Sequence, residues 1–149
     1  MRLTTFSDYT LRTLIYLALR PDRLSTIEDI SVAYGISANH LTKVVYQAAQ
    51  AGDVLTLRGQ HGGLRLARAP EDINIGAVLR RTEPDWDVAM CFGSDKACAI
   101  QPACVLQSAL GEALAAFLAV MDRKTLADMV LPKRQLSALL RFQDQGASA

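Results

Sequence analysis

The sequence predicts a mainly α fold with a small β-hairpin wing: a winged helix-turn-helix head followed by a long dimerisation helix. Three observations carry this expectation. Apolar residues recur at helical spacing through the first fifty positions. A glycine-rich stretch, Arg58-Gly-Gln-His-Gly-Gly63, then separates two short β-forming runs. A long apolar helical pattern follows position 104.

The elements follow in order. Leu11, Leu14, Ile15 and Ala18 place a first amphipathic helix over residues 7–20, stopped by Pro21. Ser25 with Glu28 three residues later has the capping-box arrangement, and Ile27, Ile30 and Ala33 give the second helix its buried side. Gly35 supplies the left-handed exit, Ile36 plugs the corner, and Ser37 is an N-cap for the third helix. Two short helices joined by a tight glycine turn form the helix-turn-helix unit. On the third helix Leu41, Val44, Val45 and Ala48 share one face, and Asn39, Lys43, Tyr46 and Gln50 lie opposite, flanked by His40, Thr42 and Gln47. Asn and Gln pair bidentately with adenine, and Lys reaches guanine or phosphate, so this face suits the reading of base edges. The plainer alternative is a solvated helix face. After Gly52, Val54–Leu57 and Leu64–Leu66 are strand candidates. A hairpin directly after such a helix is a wing, whose Arg58, His61 and Arg65 can meet phosphate or the minor groove. The glycine run could instead cradle a nucleotide phosphate, but it lacks the lysine pattern of such a loop and joins two strands, which favours the wing.

The totals agree with a globular DNA-facing protein. Half of the 149 residues are apolar, and the formal net charge is +1. Residues 1–70 carry eight Lys/Arg against five Asp/Glu, and residues 71–149 carry eight against ten, so the cationic excess lies at the front. Neither Leu11–Leu19 nor Val105–Met121 reads as a signal or membrane segment, because Arg12 interrupts the first and Gln107, Ser108, Gly111 and Glu112 the second. The expectation is a cytoplasmic protein with no membrane partner.

All three cysteines fall between positions 91 and 104. Ile73, Ala77 and Val78 begin a helix over residues 73–82, Glu83-Pro84-Asp85 breaks it, and an irregular segment then carries Cys91, Cys98 and Cys104. Several thiols on one loop suit an iron–sulfur cluster. Zinc prefers closer Cys pairs and a fourth ligand, a disulfide leaves one thiol over, and inert structural thiols are the plainest alternative. Three cysteines leave a cluster one ligand short, and Asp8, Glu83, Asp87, Asp95 and His61 are chemically able to complete it. No nucleophile–base or acid–base set accompanies the thiols, so an enzyme is not expected. Beyond Cys104, Leu106, Leu110, Ala113, Leu114, Phe117 and Met121 line one side of a long helix, widened by Ala109, Leu118 and Val120. A stripe of that extent suggests a partner helix and a homodimer, the plainer alternative being that it covers the small head domain. Short packing helices follow Leu126, with fraying from Gln143.

The division expected is therefore a winged head over 1–70, a connecting helix and cysteine loop over 71–104, and dimerisation and packing helices over 105–149. Several stretches carry a resemblance: Met1-Arg-Leu-Thr-Thr-Phe-Ser-Asp-Tyr9, Tyr34-Gly-Ile-Ser-Ala-Asn-His-Leu-Thr-Lys-Val44, Arg58 to Leu66, Ile75-Gly-Ala-Val78, Glu83-Pro84, Pro102-Ala-Cys104 and Thr125-Leu-Ala-Asp-Met129. The chain resembles the NsrR-type repressors, within the iron–sulfur winged-helix regulators that also contain IscR. Asn39-His40-Leu41-Thr-Lys43 is the stretch that looks like the nitric-oxide branch. The resemblance implies a homodimeric repressor of double-stranded operator DNA, with a cluster held by Cys91, Cys98 and Cys104 (4Fe–4S favoured, 2Fe–2S the alternative). It implies that nitric oxide is the signal and that Asp8 reaches the partner's cluster as fourth ligand. Asp8 could instead cap the first helix or pair with Arg12 one turn on. An iron- or redox-responsive regulator of the same fold and a zinc-stapled interaction module are the competing readings.

Overall fold

A computed structural model describes residues 2–93 and 98–142. Asp95 and the expected fraying from Gln143 lie outside the described residues. The fold is mostly helical with a two-stranded antiparallel hairpin, as the sequence predicts. Its elements are α1 (Thr5–Leu19), α2 (Ile27–Tyr34), α3 (Ala38–Gln50), β1 (Val54–Leu57), β2 (Gly63–Leu66), α4 (Ile75–Thr82), α5 (Val105–Asp122), α6 (Leu126–Met129) and α7 (Lys133–Leu139).

Local chemistry sets the ends. Thr4 caps α1, its hydroxyl accepting from the Ser7 amide, so the helix starts two residues before the expected position. The capping box of α2 is Thr26 with Asp29 rather than Ser25 with Glu28. Ser25 is drawn out of the helix because its backbone pairs with Leu64 of β2, N–H to O at 3.0 Å and O to N–H at 2.7 Å. Gly35 leaves α2 at φ 64°, the left-handed geometry that a tight helix-turn-helix requires. Ser37 stands at the N-cap of α3 without a capping hydrogen bond, which leaves its exposed hydroxyl uncommitted there.

One core unites distant stretches. Leu14 and Leu17 of α1, Ile30, Leu41, Val45, Val54 and Leu64 join Ile73, Ile75, Val78 and Leu79 near α4, and Leu126 of α6, all buried. Chain pairing brings Leu126 there: its amide donates to Ile73 O at 2.8 Å, and the Ile75 amide donates to Lys124 O at 2.9 Å. Ile73 lies just before α4 rather than in it, in the segment that makes this pairing. α4 then lies against the end of α5, where Arg80 Nη2 donates to Asp122 Oδ2 at 2.8 Å. That bidentate pair holds the Asp122 carboxyl below the usual carboxylate range.

Helix α5 has two apolar sides where the sequence suggested one stripe. Leu110, Leu114, Phe117, Leu118 and Met121 are half-buried, with Phe117 and Met121 against the core and Phe117 6.2 Å from the Trp86 ring. Leu106, Ala109, Ala113, Ala116 and Val120 face outward, Leu106 at 66% exposure. By length and composition α5 is apolar enough to cross a membrane, yet its inner side is seated on the head through these contacts. Gly76 permits the approach of α4 to α5, because a Cβ there would occupy the position of the Asp122 carboxylate. Replacing Gly76 with Ala displaces the half-exposed Asp122 carboxylate from Arg80 and is expected to cost no more than about 1 kcal/mol, read as a slightly lower urea midpoint at unchanged m-value.

Candidate DNA interface and cysteine site

The outward face of α3 carries Asn39, His40, Lys43, Tyr46, Gln47 and Gln50, all exposed, while Leu41, Val44, Val45 and Ala48 are buried beneath. Part of the face is pre-ordered. Gln50 Nε2 donates to Tyr46 Oη at 2.8 Å, one turn apart, and the His40 ring lies 6.1 Å from Tyr9 of α1. Lys43 and Gln47 also edge a groove of about 330 Å³ shared with Thr4, Arg81 and Thr82. On the hairpin, Arg58 and His61 are exposed at the tip, and Arg65 is exposed on β2 opposite Leu55. The structure thus puts the ten candidate DNA contacts on two exposed surfaces, one helical and one on the wing, connected through the turn at Asp53.

Asp53 is fully buried, and sequence reasoning passed over it. One carboxylate oxygen is held by Arg68, at the exit of the wing, and the other faces Arg81 of α4 as an ion pair. The backbone joins in: the Asp53 amide donates to Ala48 O at 3.0 Å, and its carbonyl accepts from the Ala67 amide at 2.8 Å. Burial lowers the Arg81 pKa from its ordinary value.

The cysteines occupy the segment between α4 and α5. Cys91 lies in a single 3₁₀ turn, Met90–Phe92, and is half-buried; Cys98 is exposed; Cys104 is half-buried at the N-cap of α5. Gln107 ties two of these positions together, its amide donating to Cys104 Sγ at 3.4 Å and its side-chain Nε2 to Cys91 O at 3.3 Å. This glutamine was not singled out in the sequence; only its place three residues after an N-cap could have marked it. Among the described residues no three His, Cys, Asp or Glu side chains stand close enough to hold a metal ion. The donor set nevertheless fits an iron–sulfur group in chemistry: three soft thiols lie between α4 and α5, and Gln107 ties the Cys104 thiol to the Cys91 backbone carbonyl.

The candidate fourth ligands have varied surroundings. Asp8 pairs with Arg12 of its own helix, Nε to Oδ2 at 2.9 Å, and the Arg12 guanidinium lies 5.7 Å from the Tyr34 ring centre. Burial pushes the Tyr34 hydroxyl up to about 12, with Arg12 opposing. Glu83 is engaged at the start of α1, where Oε1 accepts from the Thr4 amide at 2.8 Å. Asp87 is exposed beside the cysteine segment, its amide donating to Asp85 Oδ1 at 3.1 Å, and His61 is on the wing.

Comparison with known proteins places this architecture. Residues 3–132 match the Rrf2 family model, described as an iron-dependent transcriptional regulator. The chain is 49% identical over 146 residues to the HTH-type transcriptional regulator NsrR of Bacillus subtilis, covering 97% of this chain and all of that protein. It is 45% identical over 145 residues to the NsrR of Halalkalibacterium halodurans, covering 96% and 99%. Among solved structures it is similar to IscR of T. potens (TM-score 0.71, 25% identity, 100% of this chain and 94% of that one). CymR, the global cysteine regulator of B. subtilis, gives a TM-score of 0.67 at 25% identity, covering 87% and 95%. These relatives are regulators rather than enzymes, in agreement with the absence of a catalytic constellation expected from the sequence. The chain belongs to the Rrf2 family of winged-helix transcriptional regulators.

Proposed function

We propose that this DNA-binding regulator is a homodimeric cytoplasmic repressor that carries an iron–sulfur cluster and releases its operator when nitric oxide attacks that cluster. The observation that carries the reading is the cysteine segment, which joins the helix clamped to the DNA-reading head with the helix whose outer apolar side is uncovered. Near-full-length similarity to the NsrR regulators supports the choice of signal.

Cys91, Cys98 and Cys104 would hold the cluster, with Asp8 of the partner subunit as the fourth ligand. A 4Fe–4S group is the preferred form. When bound, the group supplies iron sites at which nitric oxide competes with sulfur and carboxylate ligands. The chain's own residues convert that competition into a change of shape. Cys104 is the N-cap of α5, and Gln107 ties its thiol to the Cys91 carbonyl, so loss of a cluster shared by these cysteines would leave those two hydrogen bonds to hold the segment. Asp8, once released, has Arg12 within reach as an alternative partner. Leu106, Ala109, Ala113, Ala116 and Val120 would pack against the same stripe of a second copy, small residues allowing close helix approach.

On DNA, α3 would enter the major groove with Ser37, Asn39, His40, Lys43, Tyr46, Gln47 and Gln50 at its surface. Arg58, His61 and Arg65 of the wing would meet the backbone or minor groove. The head, connecting and dimerisation stretches (1–70, 71–104 and 105–149) then divide reading, sensing and pairing.

The test is anaerobic. The absorbance spectrum, iron and sulfide content of reconstituted protein are followed before and after stoichiometric nitric oxide, alongside operator binding. Collapse of an iron–sulfur spectrum together with operator release is expected; full operator affinity after nitrosylation would refute the reading. Substitution separates the contacts. Arg58→Ala is expected to weaken binding to all sequences alike and to reduce the salt slope by about one. Asn39→Ala is expected to relax preference at particular base pairs by about 1–3 kcal/mol, checked by binding to a panel of single-base operator variants.

A further inference from the structure

Three consecutive residues at the end of α4 each reach a different part of the DNA-reading head. Arg81 pairs with buried Asp53, in the turn between α3 and the wing. Thr82 Oγ1 accepts from Ser7 Oγ of α1 at 2.8 Å. Glu83 Oε1 accepts from the Thr4 amide at 2.8 Å and from the Thr4 hydroxyl at 3.1 Å, at the very start of α1. Pro84 follows, and the chain runs on into the segment that carries Cys91.

Helix α4 is also fixed to α5. Asn74 Nδ2 donates to Asp122 O at 2.7 Å, and Arg80 holds the Asp122 carboxylate. Helix α4, the cysteine segment and α5 therefore form a closed circuit. Helix α4 is pinned to the C-terminal end of α5 at both its ends, by Asn74 at its start and by Arg80 in its last turn, and the cysteine segment runs from the end of α4 to the start of α5. Within such a circuit, a pull from the cysteine segment would act first on Glu83 and Pro84, where the chain leaves α4 beside Arg81 and Thr82. The hydrogen bonds of Thr82 and Glu83 and the ion pair of Arg81 would carry that pull into the head, whereas apolar contacts would let the surfaces slide.

We propose that Arg81, Thr82 and Glu83 are the positioning clamp through which the cysteine segment sets the DNA-reading head, Arg81 acting on the turn that joins α3 to the wing and Glu83 on the start of α1. The proposal rests on the reading of the cysteine segment as the signal site. It also assigns Glu83 a role other than metal ligation, since its carboxylate accepts two hydrogen bonds from Thr4. The start of α1 matters to DNA reading through the next contact along, the Tyr9 ring against His40 of α3.

The experiment measures the ratio of operator affinities of full-length protein with and without its cluster, for the parent chain, Arg81→Met, Glu83→Ala and Glu83→Gln. Iron content, cluster absorbance and thermal midpoint are recorded for each. A parent ratio in the usual range for coupled sites, about 5–150-fold, is expected to shrink to about threefold or less in Arg81→Met and Glu83→Ala. Cluster absorbance and iron content should match the parent, and Glu83→Gln, which keeps the acceptor oxygen, should restore the ratio. Equal weakening of both states with an unchanged ratio would make the clamp merely structural and overturn the proposal. Loss of cluster uptake would overturn it too, by making these residues part of the cluster's own support. Glu83→Ala leaves the Asp53 pairs intact and so decides the matter if Arg81→Met does not fold. A parent chain that holds the cluster but shows no ratio would refute the functional reading itself, and the clamp would then have nothing to transmit.

Discussion

The arrangement of the head depends on one buried carboxylate. Asp53 has no exposed surface, and a charge in that position persists only when it is paired. Arg68 reaches it from the wing exit and Arg81 from α4, so two elements far apart in sequence are held to the turn after α3. Removing one partner of a dry buried pair costs about 3–5 kcal/mol; here the cost is reduced because both guanidinium groups keep part of their surface in water. What the pairing contributes is orientation. An apolar side chain at the same turn would fill the volume and leave the wing free to choose its angle.

Much of this was legible because it is local. The face of α3 divides at helical periodicity whatever surrounds it, and Gly35 announces its turn through the one conformation that glycine adopts freely. The cysteines declared themselves by being confined to one irregular stretch. Errors arose where tertiary pairing chose between equivalent local signals. Ser25-x-x-Glu28 and Thr26-x-x-Asp29 are both capping boxes, and the bridge from Ser25 to Leu64 selects the second. The stripe on α5 was read as one surface because apolar content does not reveal which neighbours arrive. Asp53 and Arg81 are 28 positions apart, and nothing in either stretch predicts that they meet. Glu83 was grouped with other carboxylates as a ligand candidate, since composition does not distinguish a ligand from an acceptor for a helix start.

The similarity to IscR and CymR at about one quarter identity shows that this scaffold tolerates wide sequence change while keeping its shape. The elements that must be kept for the shape are few: the helix-turn-helix corner, the hairpin, and the return of the chain after α5 to pair beside α4. Among the described residues, the cysteine segment contributes little to the buried core, so substitutions there are least costly to folding.

That return of the chain also bears on synthesis. Leu126 is completely buried among residues of α1 and α4, yet it emerges from the ribosome after the whole DNA-reading surface, the cysteine segment and α5. A nascent chain that has already displayed α3 and the wing still has an open hole in its core. Chains stalled before Leu126 would expose apolar side chains to proteases and chaperones. Closure of the core under the DNA-reading head thus waits on residues made after α5.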